Sequence, residues 1–316
     1  MRRPNTLTRW LRRLGSAAGS RAAAFPAGHF YSPVVDVGDV ASRAAAIWPP
    51  QPVVQGIDFD DGSHRRVLEE VFPKFMGDFD YPEQLLPGSA PTQFFTANDQ
   101  FGWLDARALF VLLRQWRPRR LIEVGSGYSS LLIADINRRW FDCAMTFICI
   151  EPYPPAFLKA PVPGISRLIA SQVQSLSLAE FTALEAGDVL FIDSSHVSKT
   201  GSDVNFLYFD VLPHLQPGVR IHIHDVFLPH DYPREWVLEQ KRSWNEQYLV
   251  RALLMYSSAL RVEFGCAYAF HAHRERVAAA LGRPLDRAFG GASLWLKKIA
   301  QLSVRAQCMD RPQGRA

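Results

Sequence analysis

From residue 121 onward the chain repeats one pattern: a short apolar run that closes on acidic, small or imidazole side chains. The four clearest cases are Leu121–Ser130 (LIEVGSGYSS), Phe147–Pro152 (FICIEP), Val189–His196 (VLFIDSSH) and Ile221–Val226 (IHIHDV). Apolar runs of this length, with no polar alternation, mark strands buried on both faces of a parallel sheet. Helical periodicity fills the gaps between them. The pattern predicts strand 121–125, helix 129–140, strands 145–151 and 166–170, helix 177–184, strand 188–193, helix 202–211 and strand 220–225. Such alternation implies βαβ units with right-handed crossovers. Ligands of an open α/β sheet collect beyond the carboxyl ends of its strands, so polar side chains at four successive strand ends predict one shared site and an enzyme.

Upstream, Asp105–Trp116 has helical spacing, with Leu109, Leu112 and Leu113 on one side. Downstream, the periodicity predicts a helix over about Glu235–Met255, strands at Arg261–Phe270 and Ala292–Lys297, and a helical insertion at 274–281. Between Phe25 and Gln93 proline and glycine recur every few residues, which permits short helices such as Arg65–Val71 but no long regular element. The expected organisation is therefore a basic flexible arm at 1–24, an irregular extension or lid at 25–97, a catalytic domain at 98–298 and a polar tail at 299–316.

Composition narrows the class. In 316 residues, 48% hydrophobic and 21% charged content are globular values, so a sizeable core is expected. The formal charge is +4, and Arg2, Arg3, Arg9, Arg12, Arg13 and Arg21 all precede the first acid, Asp36. A basic arm on a balanced core argues against direct nucleic-acid binding, which spreads positive charge over the folded surface. The arm reads as a frayed or partner-facing terminus. Cys143, Cys149, Cys266 and Cys308 show neither zinc-type spacing nor a disulfide framework, so a reducing cytoplasm is the simplest compartment. No stretch approaches the roughly 20 apolar residues of a spanning helix, so no transmembrane segment is expected. Oligomeric state stays open; a homo-oligomer is compatible with this composition.

The segment Glu123-Val-Gly-Ser-Gly-Tyr-Ser129 falls on a strand-to-helix turn. Gly125 and Gly127 permit backbone angles closed to other residues and let a ligand approach the main chain, while Ser129 or Ser130 can cap the next helix. Ser130 stands where the dinucleotide fingerprint needs its third glycine, which argues against NAD. Glu151 closes the next strand, where an acid can accept from both ribose hydroxyls or merely cap the turn at Pro152.

Taken together, the glycine loop and Glu151 resemble the class I S-adenosylmethionine-dependent methyltransferases over about residues 98–298. That resemblance implies an α/β, Rossmann-like fold: a mostly parallel seven-stranded sheet with helices on both faces, here with an irregular N-terminal extension. It also implies that Glu123, Gly125, Ser126 and Gly127 line the methionine end of S-adenosyl-L-methionine, with Tyr128 and Ser129 also among the cofactor-binding residues. Glu151 then holds the ribose, the adenine lies near Ser171 and Gln172, and Asp193 borders the cofactor.

Asp193-Ser-Ser-His196 ends the fourth strand and His224-Asp225 the fifth. Two carboxylates and an imidazole suit a hard or borderline divalent ion, which would orient an acceptor hydroxyl and lower its pKa. His196, three residues beyond Asp193, is placed to serve as base, with Lys199 as a rival. The segment is similar to the metal-dependent sugar O-methyltransferases of macrolide biosynthesis, whose D-x-S-H motif Asp193 and His196 match and whose second acid Asp225 matches. His224 stands where that family has a carboxylate, which weakens the case for Mg2+ and opens Mn2+ or no metal. The expected metal set is Asp193, His224 and Asp225. Other roles are open: Asp193 as a cofactor or loop residue, one of His222 and His224 as a core histidine. Asp203 reads as a helix-start residue, and His230 and Asp231 as acceptor contacts or a solvated turn. Phe30 and Tyr31 read as a lid or a buried aromatic anchor.

The expected activity is O-methylation of a small molecule or glycan. The alternatives are an NAD(P)-dependent oxidoreductase and a non-catalytic protein that retains the fold.

Overall fold

The computed structural model describes residues 24–53, 55–85, 93–285 and 290–300. Nearly all of the basic arm, most of the polar tail and Cys308 lie outside them. The chain divides into a larger unit, Trp48–Pro233 with Trp244–Ala316, and a smaller one, Met1–Ile47 with Arg234–Ser243. Residues 48–85 thus belong with the core rather than with the segment before them, a different division from the boundary expected at 97.

In chain order the larger unit carries a helical run α1, formed by Asp61–Arg66, a π segment Val67–Val71 and Phe72–Phe75. Then come α2 (Trp103–Trp116), β1 (Arg120–Val124), α3 (Tyr128–Trp140), β2 (Thr146–Ile150), β3 (Arg167–Ile169) and β4 (Val189–Ile192). A second run with a π segment, Asp203–His214, forms α4. The rest are β5 (Arg220–Ile223), α5 (Glu246–Tyr256), β6 (Leu260–Gly265), α6 (Cys266–Ala272), α7 (Arg274–Leu281) and β7 (Leu294–Lys298).

The strands form one seven-stranded sheet in the order β3-β2-β1-β4-β5-β7-β6. Strands β1 to β5 pair in parallel and β7 runs antiparallel to both its neighbours. This is the α/β, Rossmann-like architecture expected from the alternating pattern. Side chains alternate between two cores: Leu121, Val189 and Phe191 face one, Ile122, Leu190 and Ile192 the other. Burial on both faces explains why these strands read as unbroken apolar runs. The strand order reverses between β1 and β4, and that switch point brings the loops after β1, β4 and β5 together.

Three expectations change. The proline-rich stretch does hold a sustained helix: α1 buries Val67, Leu68 and Phe72 in the first core, and Pro73 directly follows the residue whose N–H closes the π segment onto Val67. The helix expected over 235–255 is two, Arg234–Leu238 and α5, split by a non-helical stretch that ends at Asn245. The strand expected at 261–270 stops at Gly265, and α6 begins at Cys266.

In the smaller unit, Asp36 caps the helix Val37–Ser42 by accepting from the Gly38 and Asp39 amides. Val35 N–H donates to Ser243 Oγ at 3.3 Å. Phe30 and Tyr31 are 80% and 65% exposed, which removes the buried-anchor reading for both.

Candidate functional site

The turn after β1 is shaped by how closely β1 and β4 approach each other. Gly125 has φ +82°, and a Cβ there would lie 1.8 Å from the Asp193 carbonyl oxygen. No residue with a side chain fits. Gly127, by contrast, has an extended φ of −161°, which any residue adopts. Its amide donates to Ser130 Oγ at 3.0 Å, closing the first turn of α3. Ser129 Oγ donates to Glu123 Oε1 at 2.7 Å, and Ser130 Oγ to Glu123 Oε2. Glu123 is fully buried, so it braces the loop from behind and does not line the cleft. Burial, offset by the Ser130 and Ser129 hydroxyls, pushes its carboxyl up to about 7.

Glu151 accepts from Ser126 N–H at 3.2 Å and Tyr153 N–H at 2.8 Å, so it ties its own turn to the glycine loop. Burial raises its carboxyl above the usual range against those two amides. A cleft of about 150 Å³ opens here, lined by Gly125, Ser126, Gly127, Tyr128, Ser129, Glu151 and Asp193, with Gln100 and Phe101 from the segment before α2. The Ser126 side chain packs inward, beside Glu123 and Cys149. Gln172 is exposed and Ser171 half-buried, and neither lines this cleft.

At the ends of β4 and β5 the second group converges. His196 Nε2 lies 3.3 Å from Asp193 Oδ1 and 3.3 Å from Asp225 Oδ2, and Nδ1 lies 2.9 Å from Glu246 Oε2. His224 Nδ1 is 3.5 Å from Asp193 Oδ1 and 3.7 Å from Asp225 Oδ1, while its Nε2 faces Asp105 at 3.9 Å. His196 and Asp225 hold positive φ of 61° and 56°, a conformation that residues with side chains enter only under constraint.

Charge follows from this crowding. Burial alone would lower the His196 imidazole, but Asp193, Glu246 and Asp225 together push it up to about 10. His224 is also raised, burial being outweighed by Asp225 and Asp193. Burial would lift Asp193, yet His224 and His196 hold it well below the usual carboxylate range. Asp225 is raised, because burial outweighs the same two imidazoles. His222 is the core histidine: burial drives its pKa down, its ring stacks on Phe191 at 3.7 Å, and Nε2 meets Ser293 Oγ at 2.9 Å.

Asp193, His196 and Asp225 each offer one ligand atom, all within 4.8 Å of one another. That donor set, one imidazole with two carboxylates, fits a divalent ion such as Mg2+ or Mn2+ and leaves coordination positions open. His196 Nε2 and His224 Nδ1 both face Asp193 and Asp225, and His224 also turns its Nε2 toward Asp105. Lys199 is exposed, and only its backbone is engaged, through Ser202 Oγ at 3.2 Å. Asp203 starts α4 and also accepts from Ser195 N–H at 2.7 Å, so it fixes the loop between Asp193 and His196. Asp231 accepts from the Tyr248 hydroxyl at 2.8 Å, and His230 packs edge-on against His271.

Two acids that face the imidazoles from behind escaped sequence reasoning. Asp105 lies 88 positions before Asp193 in the chain and read only as the start of a helix; its carboxylate also accepts from the Ala292 and Ser293 amides at 3.0 and 2.7 Å. Glu246 was lost inside the over-long helix. Asn245, a capping-type residue before an acid, was the available signal that a new helix begins there.

The methyltransferase-domain family matches residues 122–226, which run from β1 through the glycine loop and Glu151 to Asp225. The chain belongs to the class I S-adenosylmethionine-dependent methyltransferases. An uncharacterised Archaeoglobus fulgidus protein is 33% identical over 183 residues, 56% of this chain and 82% of that one. A Klebsiella pneumoniae protein assigned as an O-methyltransferase overlaps 83% of this methyltransferase and 97% of its own chain, at 15% identity and TM-score 0.36. A 16S rRNA (adenine(1408)-N(1))-methyltransferase mutant from Catenulisporales acidiphilia, solved with S-adenosylmethionine, overlaps 67% and 95% at 14% identity and TM-score 0.30. Likeness this shallow does not extend to acceptor or mechanism. The nicotinamide alternative falls with the family assignment.

Proposed function

We propose that this methyltransferase transfers the methyl group to a hydroxyl oxygen of a small molecule or glycan, with a divalent cation held by Asp193, His196 and Asp225. One observation carries the reading: Asp193 lines the cofactor cleft and is at the same time a member of the ligand cluster. Methyl donor and cation would therefore meet at one carboxylate. When bound, S-adenosylmethionine supplies an electrophilic sulfonium methyl, and Mg2+ or Mn2+ supplies positive charge for a hydroxyl oxygen losing its proton.

The chain's own residues do the positioning. Glu151 offers its remaining carboxylate lone pairs to the cleft, the Ser126 and Gly127 amides being held by Glu151 and Ser130, and Gly125 keeps the main chain open beside it. Asp193, Asp225 and His196 form a charged wall at the β4 and β5 ends. Transfer breaks the S–C bond, forms the O–C bond, and leaves neutral S-adenosylhomocysteine, the hydroxyl proton passing to water, so alignment supplies much of the rate.

No helix among the described residues is long and apolar enough to cross a membrane. Exposed Cys143 and buried Cys149 and Cys266 are free thiols, which supports a cytoplasmic setting within the same proposal. The test is turnover on hydroxylated acceptors before and after exhaustive chelation. Activity lost in chelator and restored by Mn2+ or Mg2+ is the expected result. Full activity in chelator overturns the cation role.

A further inference from the structure

Glu246 reaches the cluster from a distant part of the chain. It is the first residue of α5 and only 1% exposed. Its backbone N–H donates to the His196 carbonyl at 3.2 Å, beside that of Asn245 at 3.0 Å. Its Oε2 meets His196 Nδ1 at 2.9 Å and accepts from Ser194 Oγ at 2.8 Å. One helix start therefore grips His196 by both carbonyl and ring, while the Trp244 ring lies 4.3 Å from the imidazole. A carboxylate facing Nδ1 needs a proton on Nδ1, and that leaves the neutral ring's lone pair on Nε2. Nε2 is the atom placed 3.3 Å from both Asp193 and Asp225.

We propose that Glu246 is a positioning residue that fixes His196 as the Nδ1–H tautomer and aims Nε2 between Asp193 and Asp225, making His196 a cation ligand and not the general base. The inference rests on the cation reading above and deepens it. Ligating imidazoles commonly hold a carboxylate on their second nitrogen, which sets ring orientation and raises ligand basicity.

The experiment is Mn2+ titration of the full chain by electron paramagnetic resonance, with S-adenosylhomocysteine affinity followed by calorimetry. Glu246→Gln keeps the side chain's shape and both backbone bonds to His196. It should weaken Mn2+ binding by roughly 10–100-fold while leaving S-adenosylhomocysteine affinity unchanged. In a His196→Ala background the same substitution should cost nothing further, because its effect passes through the imidazole. A purely structural role would instead lower both affinities, or add to the His196→Ala loss, and either result overturns the proposal. Glu246→Asp, which retains the charge, carries the same cycle if the amide variant does not fold. Wild-type protein that takes up no Mn2+ sinks the cation reading and this role with it. Wild-type uptake that is unchanged in Glu246→Gln sinks this role alone.

Discussion

Two strand-end acids on adjacent strands, Glu123 on β1 and Asp193 just past β4, meet opposite fates. Glu123 is sealed behind the glycine loop with hydroxyls and a thiol for neighbours, and burial drives its carboxyl up to about 7. Asp193 faces two imidazoles and is held well below the usual range. The cofactor half of the site is built from backbone amides and neutral donors contributed by nearby sequence. The other half is built from opposed charges drawn from distant segments. Glu123 is fully buried and Asp193 partly exposed, so depth and the groups facing each carboxylate push the two in opposite directions together.

That contrast can be broken from either side. The largest effect is expected in the charged half: Asp225→Ala should reduce methyl transfer by roughly 10³-fold or more, as the loss of a preorganised charge does. S-adenosylhomocysteine binding should survive, and calorimetry that shows both lost together would erase the division between the halves. In the cofactor half, Gly125→Ala must accommodate a Cβ 1.8 Å from the Asp193 carbonyl oxygen at φ +82°. It should cost about 3 kcal/mol or more of stability in denaturant unfolding, as a backbone clash at a special φ does. A shift within experimental scatter would disprove the close approach of β1 and β4.

Glu123 offers a pH test. Its folded-state pKa of about 7 lies above the ordinary 4.5, so the folded protein binds the proton more tightly than the unfolded chain. Its stabilising contribution is therefore complete below pH 4.5 and lost as pH rises through about 7. The loss, on the order of 3 kcal/mol, should appear as a downward slope of stability across that window. Glu123→Gln should flatten the slope relative to wild type, and parallel curves for the two proteins would mean that Glu123 is ionised throughout. The smallest effect belongs to Glu151→Ala, expected to weaken S-adenosylhomocysteine binding by about 1.5–3 kcal/mol through loss of a charge-assisted hydrogen bond. Unchanged affinity would leave Glu151 as a turn cap alone.

Most of the sheet was legible in the chain because strands buried on both faces must be continuously apolar, and their ends must turn polar where the backbone meets solvent or ligand. The glycine loop was legible for a similar local reason: Gly125 answers a steric demand at its own position. Glu123 was legible as a residue but not in its role. A motif places it near the cofactor, and only the packing of Ser129, Ser130 and Cys149 around it shows that it faces inward.

Asp193, His196 and Asp225 could be assembled from sequence once β4 and β5 were taken as neighbours, since each lies within a few residues of a strand end. What lies behind each imidazole could not, because Glu246 at His196 Nδ1 and Asp105 at His224 Nε2 sit on two helices remote in the chain. The periodicity that joined 235–255 into one helix concealed Glu246, which is the first residue of α5. By itself the sequence determined the strands, the loop and the strand-end chemistry, all consequences of residues acting on their own backbone. Tertiary structure alone decided which side chains face which, and so which carboxyl is pushed up and which is held low.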